Sequence, residues 1–386
     1  MLTPTRCVAK YLQTLWVLVV VLVNSGGSLS AQEGDADELS PNSVLTDAQW
    51  DQLESSVDSA IEFLATQQAR DGSFKSHVVG QPAVTSLCVL AFLSRGHTPI
   101  DGPYAKQLSK AIDFIVSKQR ADGLICSIDR NHPYYTVTGS YNHAINGLAL
   151  CEVYGMSQGD QQKVVRKTIE MALEFSRKEQ QKSKRWADDD GGWRYLNPAQ
   201  AIDSDLSITS WHLMFYRSAR NAEFDIPNEN VDAAAAFVRR CYDEKRGSFC
   251  YGLRGYGRSS FSRSMAGAGA LSLSLAGDHN TKMARRTGDF IVEHTFDDFN
   301  RGGLTREDRY YYGAFYCSQA TYQIGADYFG RFYPNLLQTL VANQNKDGSW
   351  PLEANQTDRE LGFTYSTSLA VLALTPPYQM IPIFQR

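Results

Sequence analysis

The sequence predicts an all-α fold, an (α/α)6 toroid in which six inner helices are enclosed by six outer helices. Glycine turns recur along the chain at intervals of 46 to 68 residues, which is long enough for two helices and two loops. An amphipathic segment precedes each turn, and an apolar, charge-poor segment follows it. One half-solvated and one buried helix per repeat pack naturally as two concentric layers. The turn glycines are Gly72, Gly123, Gly191, Gly247, Gly302 and Gly348.

The first helix of each repeat has one apolar face. Leu53, Val57 and Ile61 recur at helical spacing, and charged residues fill the opposite side. This pattern predicts a helix whose outer face is in water. The later outer helices are predicted at 164–179, 230–242, 281–293 and 334–343.

The second helix of each repeat is rich in Ala, Ser, Gly and Leu. A helix that is apolar nearly all round is a buried one, and small residues let neighbouring helices approach closely. The inner helices are predicted at 84–93, 142–154, 205–219, 262–275, 313–324 and 364–374.

The turns follow one pattern, in which a glutamine ends the outer helix and a glycine and an aromatic residue follow. Glycine tolerates the positive φ of a chain reversal, an aromatic ring packs over it, and the glutamine amide bonds free backbone groups at the helix end. We therefore assign these residues a structural role. They are Gln67, Gly72, Phe74, Gln119, Gly123, Gly191, Trp193, Gly247, Phe249, Gln344, Gly348 and Trp350.

The N-terminus predicts export to the periplasm or the extracellular space. Arg6 and Lys10 precede an apolar run, and a small-residue stretch follows it, as in a secretory signal spanning residues 1–30. The alternative is a membrane anchor, but the run is shorter than the roughly 20 residues that a spanning helix needs, so no stable span is expected after cleavage. A disordered leader is predicted at 31–46, the toroid at 47–375 and a tail at 376–386.

Charge and cysteine content narrow the partners. Without Arg6 and Lys10, the chain has 36 basic against 42 acidic residues, a net charge of −6, and nucleic acid is not an expected partner. No cysteines have the paired spacing of a zinc site. Cys241 and Cys250 flank the fourth turn, so they could form a disulfide in an exported protein. They could equally be two buried free thiols, and both interpretations stay open.

The glutamine, glycine and aromatic pattern of these turns resembles the repeat of squalene–hopene cyclases and of protein prenyltransferase β subunits. The likeness spans about residues 47–375, and the chain is identified as a prenyltransferase and squalene oxidase repeat protein, similar to exported bacterial members without an established activity. It implies a toroid with a central cavity. Prenyltransferases bind zinc through an Asp-x-Cys pair and a later histidine. Here the segment 256–268 has neither Asp nor Cys, and Gly313 stands where the histidine is expected, so neither a metal nor another cofactor is predicted.

Squalene cyclases carry an aspartate cluster at the head of an inner helix, and Asp203 and Asp205 resemble it in part. Asp205 falls where the proton donor of that family lies, but Leu206 replaces the third carboxylate. Clustered carboxylates raise one another's pKa, which keeps one group protonated. The competing interpretation, which we favour, is that Asp205 caps the helix and Asp203 is exposed, in which case Asp205→Asn would be nearly silent.

The starts of the inner helices are expected to converge at one mouth of the ring. His143 joins the two aspartates there as a candidate catalytic residue. The expected cavity-lining residues are Tyr141, Asn142, Trp211, Arg263, Tyr311 and Tyr312.

Three classes of function remain open at this point. We favour a binding or scaffold protein that has lost the zinc site and holds an unidentified small molecule, lipid or glycan in the central cavity. The alternatives are a cyclase-like isoprenoid enzyme with Asp205 as its acid, and a secreted polysaccharide lyase or hydrolase.

Overall fold

Outer helix, glycine turn and inner helix follow one another around a closed ring. The computed structural model describes residues 41–197, 202–301 and 308–385, and within them the fold is almost entirely helical. The helices are, in chain order, α1 (Asp47–Thr66), α2 (Ala83–Ser94), α3 (Ala105–Ser117), α4 (Tyr135–Tyr154), α5 (Gly159–Gln180), α6 (Leu206–Asn221), α7 (Asn228–Arg240), α8 (Gly255–Ser259), α9 (Arg263–Leu275), α10 (Lys282–Glu293), α11 (Tyr310–Ile324), α12 (Ala326–Ala342), α13 (Gln356–Arg359) and α14 (Phe363–Leu374). A small hairpin pairs β1 (Tyr242–Asp243) with β2 (Ser248–Phe249). The predicted fold class is confirmed.

Burial divides the helices into two layers. The outer helices are α1, α3, α5, α7, α10 and α12, and α1 illustrates them because it buries a stripe through Leu53, Val57 and Ile61. The inner helices are α2, α4, α6, α9, α11 and α14, and every residue of α2 and α11 is buried. The inner helices therefore form the core of the molecule.

Neighbouring inner helices pack in chain order, and α14 returns to pack on α2, which closes the ring. Small residues allow this close packing. A Cβ on Gly267 of α9 would lie 2.6 Å from the backbone nitrogen of Cys317 on α11, so only glycine fits there. The small-residue pattern of the inner helices is thus the sequence signal for close helix contacts.

Each turn joins its own repeat to the next outer helix. Gly348 has φ +87°, and a Cβ there would lie 2.1 Å from the carbonyl oxygen of Ser59 on α1. The Gln344 amide donates both to the Gly348 carbonyl and to the Ser56 carbonyl. The last turn is therefore fastened to the first outer helix, across the point where the ring closes.

The same double hydrogen bond recurs in three other turns, and it corrects one assignment. Gln68, rather than Gln67, donates to Gly72 and to Gln107 on α3, whereas Gln67 bonds Thr66. A glutamine four residues before its glycine reaches both carbonyls, and Gln67 lies five residues before Gly72. Gln119 makes the equivalent bonds at the same spacing in the second turn, and Gln180 makes them in the third turn across a longer connection to Gly191.

The turn aromatics are buried, as their assigned role requires. Phe74, Phe249 and Trp350 are fully buried, and Trp193 is 1% exposed. Trp350 also donates from Nε1 to the Leu340 carbonyl near the end of α12. Gly302 lies outside the described residues.

Several helices begin earlier than the sequence predicts, and α4 and α12 differ the most. Helix α4 begins at Tyr135 rather than at residue 142, and α12 begins at Ala326 with Pro334 inside it. The helix continues through Pro334 because buried side chains pack on both sides of it, Phe329 and Phe332 before it and Leu336 after it. The early start of α4 places residues 141–143 two turns inside the helix.

The segments that flank the ring also make contacts. The predicted signal at 1–30 and the leader up to residue 40 lie outside the described residues. Pro41–Val44 forms a 3-10 turn, and Thr46 caps α1. Within the predicted tail, Ile383 and Phe384 are buried, and Phe384 packs on Phe315 of α11.

Candidate functional site

The interior of the ring is occupied by a hydrogen-bonded aromatic cluster. Trp211 on α6 donates from Nε1 to the Tyr312 hydroxyl at 2.8 Å and stacks on Phe315. Because α9 lies between α6 and α11 in the ring, this contact crosses the interior. Tyr141 donates to Ser207, whose hydroxyl also bonds Tyr312. Side chains thus fill this part of the expected central cavity.

Asp205 is both a helix cap and half of a buried ion pair. It caps α6, where Oδ1 accepts from the Ile208 amide at 2.8 Å. Its Oδ2 accepts from Arg194 Nη1 at 2.6 Å, and both side chains are at most 1% exposed. Burial raises the pKa of the Asp205 carboxyl, and the Arg194 guanidinium opposes this rise. Both oxygens are therefore engaged in holding the structure.

Asp203 does not share a site with Asp205. It is 3% exposed, so the expectation that it is exposed is wrong. Its carboxylate accepts from the backbone and the guanidinium of Arg185, and these bonds lower its pKa. Since the two carboxylates have different arginine partners, they do not form a coupled acid pair.

His143 clamps the second turn. Its Nδ1 accepts from the Ile125 amide, so Nε2 carries the proton of the neutral ring, and it lies 3.1 Å from the Ala172 carbonyl and from the Ser176 hydroxyl. Burial lowers the pKa of His143 to about 4. Thr85, Thr209 and Thr367 accept the equivalent turn amide in the first, third and last repeats. His143 therefore occupies a structural position of the repeat, between the second turn and α5.

Three of the expected cavity-lining residues instead join neighbouring segments. Arg263 pairs with Asp308 at 2.7 Å and stacks on Phe296, both on the connection from α10 to α11. Asn142 bonds the backbone at the start of α2. Tyr311 donates to the Pro351 carbonyl in the last turn.

Arg194 is the centre of a polar cluster that the sequence analysis missed. Its guanidinium lies 3.8 Å from the ring centroid of Tyr195 and donates to the hydroxyls of Tyr251 and Tyr256 at 2.5 and 3.1 Å. Tyr195 and Tyr251 are partly exposed, and Tyr256 is exposed. Burial raises the pKa of Tyr251 well above its usual range, so its phenol stays protonated. Arg194 directly follows the turn aromatic Trp193, and this place in the repeat pattern is the sequence feature that could have pointed to it.

A cleft of about 470 Å³ opens beside this cluster, and we call it the third-turn cleft. Arg194 and Tyr195 line it on one side, and the chain that follows α5 lines the other. Its charged lining residues are Glu179, Lys182, Lys184, Arg185, Arg194 and Asp203. The lining thus has four basic and two acidic residues, and the basic ones remain in excess when Asp205, the partner of Arg194, is added to the acidic ones. A second cleft, of about 680 Å³, lies at the first turn and includes Lys75 and Phe114 in its lining.

Within residues 41–197, 202–301 and 308–385, no group of three or more His, Cys, Asp or Glu side chains is arranged to hold a metal ion. In the same part of the chain, no helix combines the length and apolarity of a membrane span.

Solved structures share the fold at low sequence identity. An inactive variant of a GH76 α-1,6-mannanase of Salegentibacter, bound to α-1,6-mannotriose, has a TM-score of 0.58 at 11% identity and covers 85% of this chain and 99% of its own. A variant of the type II terpene cyclase MstE from Scytonema, bound to its product merosterolic acid A, has a TM-score of 0.54 at 14% identity, with 87% and 100% covered. Cellobiose 2-epimerase from Spirochaeta thermophila has a TM-score of 0.58 at 13% identity, with 87% and 99% covered.

These likenesses define the class of protein as an α/α toroid, and at such identities they show the fold alone. Solved structures of this class include a terpene cyclase, as the resemblance to squalene–hopene cyclases implies, and also carbohydrate-active enzymes. No family model and no curated protein matches the chain.

Proposed function

We propose that this chain is an exported, non-catalytic α/α-toroid protein of the prenyltransferase and squalene oxidase repeat type, and that it binds an acidic oligosaccharide in the third-turn cleft. The observation that carries the proposal is the state of the candidate acid. Asp205 is fixed by Arg194 and by the Ile208 amide, directly behind a cleft lined by phenol and basic groups. With both oxygens bonded, the Asp205 carboxylate can hold Arg194 in position at the cleft.

The chemistry of the cleft favours a sugar over a lipid. Tyr195 lines the cleft with the Arg194 guanidinium over one face of its ring, and its hydroxyl lies 3.5 Å from that of Tyr251, whose phenol stays neutral. Such amphipathic groups suit the apolar faces and hydroxyls of a sugar ring. An isoprenoid would instead require a largely apolar cavity, and side chains cross the interior between α6 and α11.

The excess of basic residues favours a carboxylate on the ligand. Lys182 pairs with Glu179, and Arg185 pairs with Asp203. Lys184 also lines the cleft, is partly buried, and has its pKa lowered by burial, which an anionic ligand would offset. We therefore assign Lys184 as the main contact for an acidic sugar.

The binding test is calorimetry of the mature chain with trigalacturonic acid, and with mannotriose as the neutral comparison. Binding of the acidic sugar and weaker binding of the neutral one are expected. Lys184→Gln is expected to weaken binding about tenfold, because a charge-assisted hydrogen bond contributes about 1.5 kcal/mol. Lys163→Gln, on the exposed face of α5, is the matched control and is expected to leave affinity unchanged. Equal affinities for the two sugars, or no effect of Lys184→Gln, would refute the assignment.

Two further measurements separate this proposal from its alternatives. Mass spectrometry of the purified protein can identify a ligand carried over from the cell. An isoprenoid found in this way would support the cyclase alternative. N-terminal sequencing of protein recovered outside the cytoplasm is expected to begin near residue 31, and recovery of the uncleaved chain from the cytoplasm would contradict export.

A further inference from the structure

Cys241 and Cys250 lie opposite each other at the base of the fourth-turn hairpin. The register pairs Tyr242 with Phe249 and Asp243 with Ser248, so Cys241 and Cys250 are the next pair along the ladder. The Cys250 amide donates to the Cys241 carbonyl at 2.9 Å, which confirms that these residues continue the pairing. Opposed residues that share such a bond have Cα atoms about 5.5 Å apart, within the range that a disulfide spans.

The other turns show that this pairing is special to the fourth repeat. In the first turn the Lys75 amide donates to the Gln67 carbonyl, and in the second the Cys126 amide donates to the Lys118 carbonyl. These are the positions that correspond to Cys250 and Cys241. Of these three turns, the fourth alone has cysteine on both sides, so Cys126 has no cysteine opposite it.

The surroundings of the pair favour a reactive thiol. Both cysteines are free and buried, and their side chains hydrogen-bond each other. Arg258 directs Nη1 at the sulfur of Cys250, 3.7 Å away. The bond from Cys241 and the guanidinium of Arg258 lower the pKa of Cys250, whereas burial raises the pKa of Cys241 and of Cys126. Cys250 is therefore the thiol of the pair with the greater thiolate character.

We propose that Cys241 and Cys250 form a disulfide that locks the fourth-turn hairpin when the protein meets a small disulfide oxidant. The Cys250 thiolate attacks one sulfur of the oxidant and releases one thiolate from it. The Cys241 sulfur then attacks the Cys250 sulfur of this mixed disulfide and releases the second thiolate. The two cysteines lose two protons and two electrons, and the oxidant is reduced to two thiols.

The bridge would act on the region beside the proposed binding cleft. It ties the end of α7 to the chain that carries Tyr251, whose hydroxyl bonds Arg194. Export would place the protein where such oxidants occur. The inference that the bridge forms depends on the hairpin geometry and not on the proposed function.

The test uses the wild-type chain, reduced and then incubated at pH 7 with oxidised glutathione. The protein is unfolded in acid, alkylated and digested with trypsin, which cuts between the two cysteines after Lys245 and Arg246. A linked pair of peptides joining Cys241 to Cys250 is expected, and Cys88, Cys126, Cys151 and Cys317 are expected to remain alkylated. Full alkylation of both hairpin cysteines, a link elsewhere, or glutathione retained on Cys250 would overturn the proposal.

A stability readout provides an independent check. Closing a ten-residue loop in a chain of this size is expected to raise Tm by about 4 °C on oxidation. Cys126→Ala is the matched control and is expected to keep this shift, whereas Cys250→Ala is expected to abolish it. A shift that survives in Cys250→Ala would show that the bridge does not cause it.

Discussion

The glycine of the last turn offers the sharpest test of how the ring closes. Gly348 has φ +87°, and an added Cβ would lie 2.1 Å from the carbonyl oxygen of Ser59 on α1. Normal contact requires about 3.4 Å, so Gly348→Ala must move the turn and the first outer helix apart. We expect a loss of about 1–2 kcal/mol from the positive φ and a further 1–3 kcal/mol from this displacement.

Gly102 supplies a matched control, because it has a similar φ of +96° but open space where a Cβ would be placed. Gly102→Ala is expected to lose only the backbone contribution, about 1–2 kcal/mol. The assay is urea unfolding of the two variants and the wild type, compared by their free energies of unfolding. Equal losses would refute the inference that the last turn fastens the ring to α1, because the backbone strain is common to both variants.

Four further predictions concern the core, the ion pair, pH and metal content. Asp205→Asn is expected to destabilise the fold by about 3–5 kcal/mol in urea unfolding, because it leaves the buried Arg194 without its carboxylate; a nearly silent change would restore the simple capping interpretation. Trp350→Ala is expected to lose about 3–5 kcal/mol, since the indole is fully buried and bonds Leu340, and an unchanged thermal unfolding curve would contradict this role. Because the pKa of His143 is about 4 when folded and about 6.5 when unfolded, its contribution is complete above pH 6.5 and is lost as the pH falls towards 4. From pH 7 to 5 this amounts to about 2 kcal/mol, so His143→Thr is expected to lose about that much less than the wild type over the same range. Elemental analysis is expected to find no stoichiometric zinc, and one chelator-resistant zinc per chain would show that the metal prediction is wrong.

The architecture could be predicted from the sequence because its signals repeat. Turn glycines, amphipathic outer helices and small-residue inner helices recur, and each recurrence supports the same packing. The prediction failed where it depended on an isolated residue. Pro334 marked a false helix start because tertiary packing overrides the local preference of a single proline.

The candidate site was harder to predict because side-chain partners lie far apart in the sequence. Asp205 was correctly predicted as a helix cap. Its partner Arg194 lies eleven residues earlier, directly after a turn aromatic, in a segment without helical or strand periodicity. His143 was placed at the mouth because the first two turns of α4 contain Gly139, Ser140 and several hydroxyl residues, which conceal a helical pattern. A comparison among repeats would have identified His143 as the counterpart of the turn-clamping threonines.

The most direct test of the account is a single incubation with two readouts. Wild-type protein and Lys184→Gln are each incubated with trigalacturonic acid, binding is measured by calorimetry, and the same samples are analysed by mass spectrometry for shortened or unsaturated sugars. We expect saturable binding that Lys184→Gln weakens about tenfold, and an unchanged trisaccharide in both samples. Stoichiometric conversion of the sugar by the wild type, or no binding at all, would contradict it.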